Sequence, residues 1–219
     1  MALKDENNKS IPVIFRPYHE HNGDWFWWGK GPCSEEEYIA LWKFTLHYLR
    51  DSMNIHNLLY AISPDRSRTG GIDRDSCFLY AYPGDEYVDI LGVDNYWDVG
   101  RSSDYLKDMT RAQQDSLFLG SLQTLVKLAV TKNKIPALTE TGLAGVKETN
   151  WYTSRLLKPL KGDSLAAKIA FILVWRNGNP EQCYAPYPGH PAADDFIAFR
   201  NDPLILFEDE LPPLYQIDE

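Results

Sequence analysis

Two glutamates are placed for chemistry: Glu20 in RPYHEHNGDWFWWG (16–29) and Glu140 in IPALTETG (135–142). Glu20 follows an apolar run that reads as a buried strand, and Glu140 closes another. Parallel α/β sheets carry function beyond the C-terminal ends of their strands, so both carboxyl groups are expected in one crevice. Two carboxyl groups facing one cleft can divide acid and base work. In glycoside hydrolysis one protonates the leaving oxygen while the other attacks the anomeric carbon or activates water, and an acidic site suits the cationic transition state. The plainer reading of either residue is a solvated loop glutamate. Their shared position at strand ends, beside aromatic residues, weighs against it.

Trp25, Phe26, Trp27 and Trp28 are adjacent in a loop with Asn22, Gly23, Asp24 and Gly29, and all four cannot enter one core. A Trp ring offers a flat face and one N–H donor, which suits the C–H face of a sugar; one or two of the four are expected to touch ligand. His19 and His21 flank Glu20, but a zinc HExxH motif needs histidine at position 23, and that residue is Gly. No catalytic metal is expected, and the histidines suit hydrogen bonds to substrate or to the acid. His47 and His56 read as structural. No GxSxG elbow occurs, and Cys33, Cys77 and Cys183 have no CxxC spacing, so nucleophilic catalysis by Ser or Cys lacks a signature. Tyr96, in GVDNYWD, is placed to donate a hydrogen bond to one of the carboxylates; otherwise it is a rim residue.

The elements that position these groups read as strands at IPVIF (11–15), NLLYAI (57–62), VDILGVD (88–94), IPALTE (135–140) and KIAFILVW (168–175). Helical patterns lie between and after them, at 34–53, starting with a Ser N-cap and an acidic first turn, and at 105–131, 150–160 and 192–200. Alternating strands and helices predict a parallel sheet, either doubly wound or a (β/α)8 barrel. GxGxxG after the first strand and GxxxxGK[ST] are both absent, which gives the barrel more weight. Five strands fall short of the eight a barrel needs, so the expectation is a single partial domain over 1–219.

The 219 residues have a formal net charge of −9 and a pI near 5.0, which disfavours phosphate-backbone binding, and no nucleic-acid partner is expected. No apolar run approaches the roughly 20 residues of a membrane span. MALKDENNKS lacks the regions of a signal peptide.

In this order, IPVIFRPYHEHNGDWFWWG, LLYAISPD, GVDNYWD, IPALTETG, WRN and the closing YAPYPGHPAADDFIAF resemble glycoside hydrolase family 26, the bacterial β-mannanases. The resemblance implies the C-terminal part, strands four to eight, of a (β/α)8 barrel that lacks strands one to three, with MALKDENNKS as the tail of the third helix. It also implies cleavage of β-1,4-mannosidic bonds with retention, an exported (secreted, periplasmic or cell-surface) protein, and no cofactor. The partners would be β-mannan or manno-oligosaccharides, plus a missing N-terminal half or a second copy. By the same resemblance Glu20 is the acid/base and Glu140 the nucleophile. His19 positions the acid, Trp25 stacks on a sugar near the cleavage point, Tyr96 bonds Glu140, Trp175 and Arg176 contact sugars on the non-reducing side, and Arg16 and Asp94 orient these groups from behind. The competing class is a carbohydrate-binding chain without catalysis, either a separate module or an inactive fragment of such an enzyme.

Overall fold

The computed structural model describes residues 4–6, 8–69, 75–101 and 109–211. Five strands, β1 (Val13–Phe15), β2 (Leu58–Ile62), β3 (Ile90–Asn95), β4 (Ile135–Thr141) and β5 (Ile172–Val174), lie in one sheet in sequence order. Every pairing is parallel. Each strand falls where an apolar run predicts it.

Helix α1 (Glu35–His47) starts at a Ser34–Glu37 capping box, with Ser34 Oγ accepting from Glu37 N at 3.2 Å and Glu37 Oε2 accepting from Ser34 N at 2.9 Å. Its predicted extension to residue 53 is a π-helical turn, Tyr48–Ser52. After the short α2 (Asp75–Phe78), α3 runs from Arg111 to Lys132. The sequence pattern starts α3 at residue 105, and 105–108 lie outside the described residues. Thr110 and Gln113 cap it as Ser34 and Glu37 cap α1. Asn133, in the left-handed region at φ 53°, ends it. The 150–160 pattern resolves into a π-helical turn, Tyr152–Leu157, leading into α4 (Lys158–Gly162), and α5 spans Ala193–Arg200. The described residues at the start are not helical: Lys4 and Ser10 form an antiparallel bridge around a turn, closed by Asp5 N to Lys9 O at 2.9 Å.

The main core lies between the sheet and the helices. Tyr60, Ile62, Leu91, Val93 and Leu138 meet Trp42 and Leu46 of α1 and Phe118, Leu122 and Leu125 of α3. Burying each such aliphatic side chain contributes about 1.5–3 kcal/mol. The other face holds a small cluster, Ala61, Ile90 and Ala137, with Phe171 against it. By strand alternation Ile14, Leu59 and Leu173 share that face, and they are exposed at the sheet's two margins. Among the described residues β1 pairs only with β2, and β5 only with β4, so each has one edge without a partner strand among them.

One irregularity places chemistry. Val93 is level with Leu138, but Asp94 is level with Glu140, so Thr139 is an extra residue in β4. A bulge of this kind re-aims the side chains that follow it. Regular alternation from Leu138, which faces the helices, would turn Glu140 back toward them; the bulge sets Glu140 beside Asp94 instead.

Candidate active site

The C-terminal ends of β1, β3, β4 and β5 converge on a cleft of about 600 Å³ whose lining includes His19, Glu20, Phe26, Tyr96, Glu140 and Trp175. Glu140 is buried at the end of β4. Arg16, just past β1, spans the strand ends: its Nη1 donates to Asp94 Oδ2 and to Ser63 Oγ, each at 2.9 Å, and its Nη2 donates to Glu140 Oε1. Tyr96 OH donates to the other oxygen, Glu140 Oε2, at 2.9 Å. Burial and the adjoining Glu140 push the Tyr96 phenol well above its ordinary value, so it keeps its proton and remains a donor. Asp94, fully buried, also accepts from Thr139 Oγ1 at 2.7 Å. Burial raises its carboxyl, and Arg16 opposes that shift.

Glu20 sits on the loop after β1 with a positive φ of 52°. Few non-glycine residues adopt that conformation, and it is held by Glu20 N donating to Ser63 O at 2.8 Å and by Gly23 N donating to Glu20 O at 3.0 Å. Trp25 Nε1 donates to Glu20 Oε2 at 2.8 Å. Burial first, then the charge of Asp65, push the Glu20 carboxyl up to about 7, against the Trp25 bond and Arg16. One carboxylate oxygen each from Glu20, Asp94 and Glu140 lie within 4.8 Å of one another. Such a trio could hold a cation, but the Arg16 guanidinium already bonds two of its members.

His19 Nε2 lies 3.9 Å from Glu140 Oε1, and burial, then Arg16, lower its pKa. His21 does not join it: it is buried between the Tyr38 and Tyr80 rings, bonds Tyr80 O at 2.8 Å, and is pushed down to about 4 by burial. The adjacent aromatics divide between cleft, cavity and packing. Phe26 lines the cleft, Trp25 lines an adjoining cavity of about 660 Å³, Trp28 packs inward with Nε1 on His19 O, and Trp27 is exposed. Arg176 does not line the cleft; its guanidinium stands 5.9 Å from the Trp175 ring centre.

Sequence reasoning missed several cleft residues: Arg101, Leu143, Glu148 and Tyr184. TETG carried one signal for Tyr184. Gly142 has a φ of 144°, and a Cβ there would lie 2.4 Å from the Tyr184 ring, so the glycine makes room for it.

The family model described as Glycosyl hydrolase family 26 matches residues 1–141. The chain belongs to that family. Within glycosyl hydrolase family 26, a mannan endo-1,4-β-mannosidase of Bifidobacterium adolescentis is 36% identical over 212 residues, covering 90% of this chain and 20% of that protein. A solved β-mannanase of the family from Bacteroides ovatus superimposes with a TM-score of 0.82 at 37% identity, covering 98% of this chain and 57% of its own. A Muricauda family member gives 0.84 at 36% identity, with 98% and 55% covered. The chain therefore spans about half the length of these solved relatives and a fifth of the Bifidobacterium protein. The parallel five-stranded sheet with its helices is the C-terminal part of a family 26 (β/α)8 barrel. No helix among the described residues is long and apolar enough to cross a membrane.

Proposed function

We propose that this chain carries the catalytic pair of a retaining glycosidase that cleaves β-1,4-mannosidic bonds. The observation that supports it best is the spacing of the two glutamates, whose carboxylate oxygens approach within 4.8 Å. Retaining enzymes hold the pair about 5–5.5 Å apart, and inverting ones about 6.5–9.5 Å, to admit a water. Glu140 attacks the anomeric carbon as Glu20 protonates the departing glycosidic oxygen. Glu20 then takes a proton from water, whose oxygen displaces Glu140. Arg16 and Tyr96, bonded to opposite oxygens of Glu140, fix the line of attack. Asp94 holds Arg16 from behind. His19 and Trp175 meet the sugar on the cleft side, with Arg176 stationed behind Trp175, and Trp25 both steadies Glu20 and faces the adjoining cavity. Mannan as substrate rests on the named activity of the relatives. A polymeric substrate supports a location outside the cytoplasm.

Closure of the barrel is part of the proposal. Among the described residues β1 and β5 each have one unpaired edge, and three further βα units seated between them would complete eight strands. Adding the first three βα units of the Bacteroides relative in trans is expected to raise mannan hydrolysis. A chain that instead doubles its mass on sizing, with no gain from the added units, favours pairing between copies.

The decisive test is product stereochemistry. Early proton NMR of manno-oligosaccharide digests should show β-anomers first. First-formed α-anomers would exclude retention, and binding without new reducing ends would favour a carbohydrate-binding role. The pH profile supplies a second check. Glu20 must be protonated to act as acid, so kcat/KM should fall as pH rises through about 7. Glu20→Gln should slow mannan cleavage on the order of 10²–10⁴-fold. It should slow aryl mannosides with acidic leaving groups far less, because these need little protonation. Equal loss on both substrates would count against Glu20 as the acid.

A further inference from the structure

The SPD segment at the end of β2 takes no part in the double displacement, yet it is built tightly against the acid's loop. Asn22, two residues after Glu20, clasps the Asp65 backbone from both sides: Nδ2 donates to Asp65 O at 2.9 Å, and Oδ1 accepts from Asp65 N at 2.8 Å. Ser63, two residues before Asp65, accepts from Glu20 N. Asp65 is 4% exposed, and with Glu20 it lines the cavity on the Trp25 side.

Its carboxylate is held differently from its neighbours. Asp94 and Glu140 share Arg16, Asp98 has Arg66 at 2.9 Å, and Glu148 has Arg155 at 2.8 Å. Asp65 Oδ1 instead accepts from Ser67 N at 2.8 Å and from Ser67 Oγ. The arginines of its own turn are committed elsewhere, Arg66 to Asp98 and Arg68 to Asp24 at 3.1 Å. Arg101, the other guanidinium of that cavity, lies 5.4 Å from the Trp97 ring centre.

We propose that Asp65 is a positioning residue for Glu20: it anchors the loop that bears the acid, and its carboxylate, bonded to Ser67, sets how readily Glu20 releases its proton. The inference rests on the reading of Glu20 as the acid. The charged groups facing Glu20 are Asp65 from the turn after β2, Glu140 from β4 and Arg16 from the end of β1; Asp65 is itself influenced by Arg101 and Arg68. Asp65 and Glu140 oppose ionisation of Glu20, and Arg16 favours it. Burial raises Asp65 above the usual aspartate value, and the Ser67 bonds work against that rise. Arg101 and Arg68 also favour the charged form of Asp65.

The test is a carbon-13 NMR titration of the glutamate carboxyl groups, with Glu20 assigned by its loss in Glu20→Gln. Asp65→Asn keeps the acceptor for Ser67 and removes the charge, and Asp65→Ser does the same with a smaller side chain should the first fail to fold. The Glu20 midpoint is expected to fall by about half a pH unit or more, as removal of a close like charge requires. In the assembled enzyme the basic limb of kcat/KM should move down by the same amount. A folded variant whose Glu20 midpoint stays put overturns the proposal. A rate lowered equally at every pH, with the limb unmoved, overturns it too, since that is what a purely structural residue would give. The titration needs no turnover: a shifted midpoint without mannan cleavage leaves the coupling of Asp65 to Glu20 standing and removes the catalytic reading, and cleavage with an unshifted midpoint does the reverse.

Discussion

Glu140→Ala is expected to abolish mannan cleavage, lowering kcat by roughly 10⁴–10⁶-fold, the scale of losing a covalent nucleophile. The argument is geometric. Glu140 is buried at the end of β4, with Arg16 on one oxygen and Tyr96 on the other, and Glu20 is close enough to protonate an oxygen leaving the same carbon. Truncation to Ala leaves a space beside the anomeric carbon and leaves the acid intact. Azide can enter that space, form the C–N bond as the C–O bond breaks, and release a mannosyl azide from an activated aryl mannoside. Recovery of rate with azide, and mass spectrometry of that adduct, would identify Glu140 as the group that bonds to carbon. Wild-type activity in the variant, or no azide adduct, would remove it from that role.

The largest expected effect on stability is at Arg16. Its guanidinium reaches Ser63 at the end of β2, Asp94 in β3 and Glu140 in β4, and its side chain is 17% exposed. Burial alone would lower its pKa, but Asp94 and Glu140 together raise it, so the cation is secure. Arg16→Met keeps much of the length and leaves two buried carboxyl groups without their cation. Removing one partner of a buried ion pair costs about 3–5 kcal/mol. In a domain of this size that corresponds to a melting temperature lower by on the order of 10 °C. Combining Arg16→Met with Asp94→Asn should recover part of the loss, because one of the stranded charges is then gone. A single variant within about 1 kcal/mol of wild type, measured by urea unfolding, would mean that solvent or a shifted side chain replaces Arg16.

Strands were legible because each contains a short, mostly apolar run closed by polar residues, the mark of a sheet covered on both faces. Helix α1 was legible from Ser34 and its acidic first turn. The start of α3 was not, although Thr110–Arg111–Ala112–Gln113 is the same capping signal with Gln in place of Glu. Glu20 and Glu140 were found by position, at strand ends, and their company by motif. What stayed hidden was whatever depends on chain folding back from a distance: the clasp between Asn22 and Asp65, 43 residues apart, or Tyr184 filling the space above Gly142. Composition cannot separate His19 from His21, two residues apart. One faces the cleft and the other is stacked on Tyr38, a difference set by the backbone turns at Tyr18 and Glu20, both at φ 52°.

The bulge at Thr139 makes the site depend on a count as well as on residue types. A loop can gain or lose residues and leave its anchors where they were, but β4 cannot. Adding one residue between Thr139 and Glu140 would leave every functional side chain in the sequence and still move the carboxylate one position on, level with Asn95, which faces Ser121 of α3. Divergence in this strand is thus confined to substitution, and insertion or deletion is pushed into the turns. Transplanting the site to another barrel would require moving the irregular backbone of β4 together with the side chains it presents.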